Sequence, residues 1–103
     1  MALALRPNCE YCDIDLAPDD VRARICSYEC TFCADCVENV LSDVCPNCGG
    51  GFAPRPIRPS QAWRPGLGLV HDPAGTERRR AKYTREEMVA FAQRLSGVPP
   101  QKR

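Results

Sequence analysis

The strongest hydrophobic periodicity of the chain lies close to its C-terminal end. Four apolar residues there recur at i, i+3, i+4 and i+7, which places them on one face of a helix. They are Met88, Phe91, Ala92 and Leu95. Thr84 and Glu87 have the spacing of a capping box, and Gly97 stands where helices commonly end. The pattern predicts an amphipathic helix over residues 84–96, followed by disorder over residues 99–103.

A second, shorter apolar pattern lies in the cysteine-rich half. Residues 34–42 are predicted to form a short helix with one buried face. That face carries Val37, Val40 and Leu41. Just before it, residues 24–25 and 31–32 are predicted to pair as a small hairpin.

The apolar residues of the segment 53–75 recur with neither the helical nor the strand period. The segment contains five prolines and three glycines, which exclude a regular helix and disfavour a central strand. We predict an extended arm. It nevertheless keeps several large apolar residues, namely Ile57, Trp63, Leu67, Leu69 and Val70. The arm therefore either packs on the rest of the chain or presents an apolar surface to a partner.

Cysteine usage divides the chain of 103 residues into a folded module and an extension. All 8 cysteines lie within residues 9–48. So short a module buries too little apolar surface to balance its chain entropy, and metal binding is the usual remedy. We expect three parts: a metal module over residues 7–52, the arm over residues 53–75, and a tail over residues 76–103 that carries the predicted helix.

The cysteine spacing is that of metal knuckles, tight turns that aim two thiolates at one ion. In chain order the cysteines are Cys9, Cys12, Cys26, Cys30, Cys33, Cys36, Cys45 and Cys48. A closed structural Zn²⁺ site takes four such ligands, so eight thiolates make two sites with none left over. One Cys-x2-Cys pair is weak evidence, whereas the full set predicts two zinc ions.

Two pairings of the knuckles are compatible with this spacing. In the sequential pairing, the first four cysteines hold one ion and the last four hold the other. In the cross-braced pairing, site 1 is Cys9, Cys12, Cys33 and Cys36, and site 2 is Cys26, Cys30, Cys45 and Cys48. Only two residues separate Cys30 from Cys33, so the chain has to pass between ions within one short strand. This favours the cross-braced pairing, which also closes longer loops.

The N-terminal segment does not predict export. It has no basic region and only a short apolar stretch, and no apolar run approaches the roughly 18 residues that cross a bilayer. We therefore expect a cytoplasmic protein that does not associate with membranes. Thiols stay reduced in that compartment, so metal ligation is favoured over disulfides.

Charge is divided in the same way as cysteine. Residues 1–52 carry nine acids against three arginines, a net charge of −6, and residues 53–103 carry eleven basic residues against four acids, a net charge of +7. The second half includes a basic run of Arg78, Arg79, Arg80 and Lys82. This run is the candidate for nucleic-acid contact, since the acidic module repels phosphates. Docking of the run onto the acidic module of the same chain is the favoured alternative.

Several short motifs resemble known families. The run from Cys26 to Cys36, with Phe32 before Cys33 and Pro46 in the last knuckle, resembles a RING finger with cysteine at the position usually held by histidine. More closely, four motifs resemble a family of short bacterial proteins that is catalogued only as a domain of unknown function. They are Arg-Pro-Asn-Cys-Glu at 6–10, Cys-Thr-Phe-Cys at 30–33, Cys-Pro-Asn-Cys-Gly-Gly at 45–50 and Arg-Pro-Ile-Arg-Pro at 55–59. The resemblance implies a small α+β zinc fold of the treble-clef type, mostly turns with a short hairpin and helix, and no particular activity.

The residues favour protein interaction over catalysis. Closed thiolate sites leave no open position for water, and His71, the one histidine, has no free thiol to activate. We predict a non-enzymatic binding or adaptor module of unassigned oligomeric state. The predicted partner-binding residues are Tyr11, Pro46, Trp63, Met88, Phe91 and Leu95.

Two alternative functions stay open. One is a nucleic-acid-associated zinc protein that uses the basic run. The other is a RING-type ubiquitin-ligase-like factor, which the RING resemblance implies through Tyr11 and Pro46. RING ligases often carry a basic residue after the last cysteine, and this chain has Gly49 there.

Overall fold

A small antiparallel sheet carries the middle of the cysteine-rich half. The computed structural model describes residues 2–103, and the strand order is β2-β1-β3. The strands are β1 (Ala23–Ile25), β2 (Thr31–Cys33) and β3 (Ala53–Pro54). β1 and β2 contain the predicted hairpin, with Arg24 opposite Phe32. Pro54, which has no N–H, is tolerated because β3 is a two-residue edge strand.

The helix after β2 is α-helical only at its start. α1 (Ala34–Cys36) continues directly into a π-helical turn (Val37–Leu41), and Ser42 ends the turn in the left-handed region with a φ of 49°. The buried residues of the turn are Val37, Val40 and Leu41, as the apolar pattern predicts. The α-helical part begins right after Cys33, so Cys36 lies one turn further along the chain and is buried.

Helix α2 (Arg85–Leu95) supplies the second helical element. The predicted capping box is present: Glu87 N–H donates to Thr84 Oγ1 at 3.2 Å, and Thr84 N–H donates to the Glu87 carboxylate at 2.9 Å. Met88 and Ala92 are its buried residues. The helix packs against the π-helical turn, so the two halves of the chain form one body.

The expectation of disorder at residues 99–103 is wrong. Pro100–Lys102 form a 3₁₀ turn. The Arg103 guanidinium donates to the carbonyls of Val98, Asp43 and Gly49 at distances of 2.9, 3.1 and 3.1 Å. A single long side chain makes these contacts, so the periodicity of apolar residues could not predict them.

The core lies between the sheet, the π-helical turn and α2. Phe32 is fully buried, and its ring meets Phe52 edge-on with centroids 5.6 Å apart. Leu16 and Leu41 are buried beside it, and Met88 closes the core from α2. Within residues 2–103 no helix is long and apolar enough to span a membrane.

Candidate metal centres

Tight backbone turns hold the first and last cysteine pairs. Asp13 N–H donates to the Cys9 carbonyl at 3.0 Å, and Gly49 N–H donates to the Cys45 carbonyl at 2.7 Å. Asp13 and Gly49 both take positive φ, 67° and 84°. Glycine adopts this backbone without strain, and aspartate is one of the few other residues that visit it routinely. The two knuckles therefore share one turn geometry with different residues.

Backbone N–H groups also point at sulfur atoms. Tyr28 N–H donates to Cys26 Sγ at 3.3 Å, and Gly50 N–H donates to Cys48 Sγ at 3.4 Å. Hydrogen bonds to the charged form of a group favour that form. These donors suit sulfurs that carry negative charge, as metal-bound thiolates do.

Four sulfurs form sulfur cluster 1. All of them lie within 4.8 Å of one another, and they belong to Cys9, Cys12, Cys33 and Cys36. Cys12 Sγ and Cys33 Sγ are 3.8 Å apart. A tetrahedron with Zn–S bonds of about 2.3 Å has sulfur–sulfur edges of about 3.8 Å, whereas a disulfide bond measures about 2.05 Å. Cluster 1 thus has the dimensions of a four-thiolate metal site.

Three sulfurs form sulfur cluster 2, those of Cys26, Cys45 and Cys48. Cys30, the fourth residue predicted for this site, is buried beside them. It lines a surface pocket together with Asn47 and Cys48, but its sulfur does not belong to the mutually close set. The structure therefore brings three of the four predicted ligands together and leaves the fourth adjacent to them.

The two clusters are interleaved along the chain. Cluster 1 joins the first and third cysteine pairs, so the sequential pairing does not describe this fold. Strand β2 explains the arrangement: Cys30 directly precedes it on the side of cluster 2, and Cys33 ends it in cluster 1.

Six of the eight cysteines are buried, and burial disfavours the negatively charged form of a thiol. Burial raises the pKa of Cys36 and Cys45 far above the ordinary thiol range, and neighbouring sulfurs raise both further. Burial also acts to raise the pKa of Cys9, but backbone N–H groups outweigh it and lower that pKa. A divalent cation at the centre of each cluster would stabilise the thiolates, so the donor sets fit a thiophilic metal such as Zn²⁺.

Comparison with known proteins places this module in a family. Residues 2–58, more than half of the chain, match the family described as "Protein of unknown function (DUF1272)". The chain belongs to this family. An uncharacterized protein of Rhizobium meliloti (strain 1021) is 60% identical over 58 residues, which is 56% of this chain and 69% of the relative. No solved structure matches the chain. The resemblance to a bacterial family of unknown function is thus confirmed, and the DUF1272 match spans both sulfur clusters.

The Arg-Pro-Ile-Arg-Pro motif at the end of the DUF1272 match ties the N-terminal segment down. Arg55 is buried, and its guanidinium donates to the carbonyls of Arg6 and Ala17, each at 2.9 Å. Arg58 donates to the carbonyl of Leu3. Sequence reasoning used this motif only as a resemblance. It missed the structural role because a buried arginine that binds carbonyls leaves no periodic signature.

Two predicted partner-binding residues that the RING resemblance suggested lie against the tail. Tyr11 is half-buried, its hydroxyl accepts from Arg85 at 3.3 Å, and its carbonyl accepts from Arg80 at 3.0 Å. Pro46 is buried and lines a groove of about 460 Å³ that it shares with Met88 of α2. Tyr11 therefore contacts the tail directly, and Pro46 faces a groove that the tail also lines.

The three predicted residues of α2 also face the module. Met88 is only 2% exposed, and Phe91 and Leu95 are half-buried. A β carbon placed on Gly49 would lie 3.4 Å from the Leu95 side chain and 3.7 Å from the Phe91 ring. The apolar stripe thus packs on the last knuckle.

Trp63 differs from the other five predicted partner-binding residues, because 76% of its surface is exposed. It lies on the Trp63 loop, residues 59–72, whose ends meet through a hydrogen bond from Leu69 N–H to the Pro59 carbonyl at 2.8 Å. Leu67 and Val70 on the same loop are also exposed. This loop lies beyond the DUF1272 match.

The basic run is partly bound to the acidic module. Arg78 makes salt bridges to Asp13 at 2.9 Å and to Asp15 at 2.5 Å. The backbone of Arg79 exchanges two hydrogen bonds with the Asn8 side chain, at 2.7 and 3.2 Å. Lys82 lies over the ring of its neighbour Tyr83, 5.5 Å from the centroid. The run therefore follows the first knuckle as an extended segment.

Proposed function

We propose that the chain is a zinc-held protein-interaction module without catalytic activity. Each sulfur cluster would hold one structural Zn²⁺, with Cys30 as the fourth ligand of cluster 2. The resulting arrangement is a cross-braced, treble-clef-like module. The observation that carries the proposal is cluster 1, in which four mutually close sulfurs include a pair separated by 3.8 Å.

Structural rather than catalytic zinc fits this donor set. Catalytic zinc sites keep one position for water, whereas four thiolates close the coordination sphere. Nine acids against three arginines already make residues 1–52 negative, and four thiolates around each divalent ion add more negative charge. A closed, negatively charged centre supports a fold and does not supply a Lewis acid to a substrate.

The Trp63 loop is the surface that supports a binding role. Tryptophan is over-represented among residues that dominate binding energy. The loop backbone is held by its own hydrogen bonds, and a β carbon on Gly68 would lie 2.6 Å from the Gln61 carbonyl oxygen, so only glycine fits. A preorganised loop loses little conformational entropy on binding. Exposure of Trp63 and rigidity of its loop together favour contact with a protein partner.

The test is recovery of partners with the tagged full-length chain from its own host. We expect a zinc-loaded protein that retains a specific partner, and Trp63→Ala should lose that partner without losing zinc. Tyr28→Ala is the matched control, because Tyr28 is an aromatic residue that is 72% exposed outside the Trp63 loop. Since Trp63 is the one tryptophan, its fluorescence should also change when the purified partner is added.

The same experiment also tests the nucleic-acid and ligase-like alternatives. Loss of the partner on nuclease treatment would indicate the nucleic-acid function, for which the exposed side chains of Arg79 and Lys82 are the remaining basic contacts. Against the ligase-like alternative stand the burial of Pro46 under the tail and Gly49 in place of a basic residue. Equal recovery with Trp63→Ala and the unchanged chain would refute the Trp63 surface.

A further inference from the structure

Glu10 has a buried carboxylate in the first knuckle. It lies between Cys9 and Cys12 of cluster 1, and 5% of its surface is exposed. One oxygen, Oε2, accepts from the Thr31 backbone N–H at 2.7 Å and from the Arg6 guanidinium at 2.9 Å. A buried charge needs such partners, since an unpaired carboxylate is costly to remove from water.

The other carboxylate oxygen faces cluster 2. Asn47 Nδ2 donates to Glu10 Oε1 at 3.4 Å, and Asn47 lines a surface pocket together with Cys30 and Cys48. Asn47 lies inside the last knuckle, and Thr31 directly follows Cys30. The carboxylate therefore extends from a cluster 1 knuckle to two residues that position cluster 2 cysteines.

The Glu10 backbone is fixed on both sides. Its N–H donates to the Thr31 carbonyl at 2.9 Å, and its carbonyl accepts from the Ala81 N–H at 2.8 Å. The side chain thus starts from a fixed point, and its direction is set by Arg6 and Thr31. The position of the Glu10 carboxylate next to Asn47 is therefore set by the surrounding fold.

We propose that Glu10 is a positioning residue that couples the two metal sites. Its carboxylate holds Thr31 and Asn47, and through them it brings Cys30 toward the sulfurs of cluster 2. The contribution is positional, because a negative charge near Cys30 by itself disfavours the thiolate. The inference rests on the proposed zinc function. It predicts that a change in the cluster 1 knuckle weakens the metal affinity of cluster 2.

The experiment measures each cluster separately in the full-length protein. The zinc-loaded chain is equilibrated with increasing chelator and treated with a thiol-alkylating reagent. Mass spectrometry of its peptides then gives the modified fraction of each cysteine. Partners in the outer shell of a metal site typically contribute about 10- to 100-fold to affinity. For Glu10→Ala we expect the cysteines of cluster 2 to react at about tenfold lower chelator, with cluster 1 unchanged.

Three further variants make the result decisive. Asn47→Ala, at an exposed position, should reproduce the selective loss at cluster 2. Glu10→Gln keeps the side-chain length and one acceptor oxygen, so it should lose less than Glu10→Ala. Glu38→Ala, which removes an exposed carboxylate from the π-helical turn, is the matched control and should change neither cluster.

The outcomes for Glu10 and for zinc are distinguishable. If Glu10→Ala shifts both clusters equally, or neither, the coupling role is overturned while the zinc sites stand. If the unchanged chain carries no zinc by native mass spectrometry, the proposed function itself fails.

Discussion

The Leu95 side chain lies directly over Gly49, where a β carbon would come within 3.4 Å of Leu95 Cδ1. Gly49 therefore meets two requirements at once. It gives the last knuckle its positive φ of 84°, and it places the knuckle backbone in van der Waals reach of α2. The turn of the knuckle and the docking of the helix therefore meet at one residue.

This relationship predicts the effect of Gly49→Ala. A side chain in the left-handed region costs about 1–2 kcal/mol, whereas a β carbon 3.4 Å from Leu95 Cδ1 makes an ordinary van der Waals contact. We expect a free energy of unfolding that is lower by about that amount in chemical denaturation. Gly97→Ala is the control, since a β carbon there meets no atom within 4 Å and Gly97 does not have positive φ. An unchanged free energy in Gly49→Ala would contradict the account.

Removal of the metal should unfold the N-terminal half. Six of the eight cysteines belong to the buried core cluster there, and metal-binding free energy is folding free energy in such modules. Native mass spectrometry should count two Zn²⁺ per chain. A chelator should then abolish the amide protection of β1 and β2, and added zinc should restore it. Retention of that protection in the chelator would show that the module folds without metal.

Met88 should be the main apolar contact of α2 with the module. Its side chain is 2% exposed and belongs to the core cluster, so Met88→Ala leaves a cavity. Such truncations cost about 2–5 kcal/mol. We expect α2 to lose its amide protection in hydrogen exchange. Val89→Ala, at a half-buried position of the same helix, should have a clearly smaller effect.

The capping box should contribute independently of Met88. Thr84→Ala removes the acceptor for the Glu87 N–H and should cost about 1 kcal/mol. Thr84→Ser keeps the hydroxyl and should stay close to the unchanged chain. The free energy of unfolding of the three proteins tests this order directly.

The contact between Arg78 and the first knuckle should respond to salt at neutral pH. The hydrogen bond from Arg78 holds the pKa of Asp13 below its ordinary 3.8. The pairing is therefore complete above that value and is lost only as pH falls through the lowered pKa. Between pH 6 and 8 we expect constant amide protection of residues 79–81. In 1 M NaCl, where the Debye length is about 3 Å, protection should fall, and Arg78→Ala should remove this salt dependence.

Local patterns predicted local structure well. The stripe at Met88 and the capping box at Thr84 specified α2 to within one residue at each end, because both signals lie within a few residues of each other. Cysteine spacing indicated the interleaved clusters for a similar reason, since the short step from Cys30 to Cys33 limits the geometry. The contacts of Arg55 and Arg103 could not be predicted in this way. Each joins residues far apart in sequence through a single side chain.

The order of the cysteines has a consequence for how the chain matures during synthesis. Cluster 1 is complete once Cys36 has emerged from the ribosome, whereas cluster 2 waits for Cys48. The side of the last knuckle that lines the groove is not covered until Met88 and the rest of α2 have been synthesised. Each nascent chain thus passes through a stage in which Pro46 is accessible.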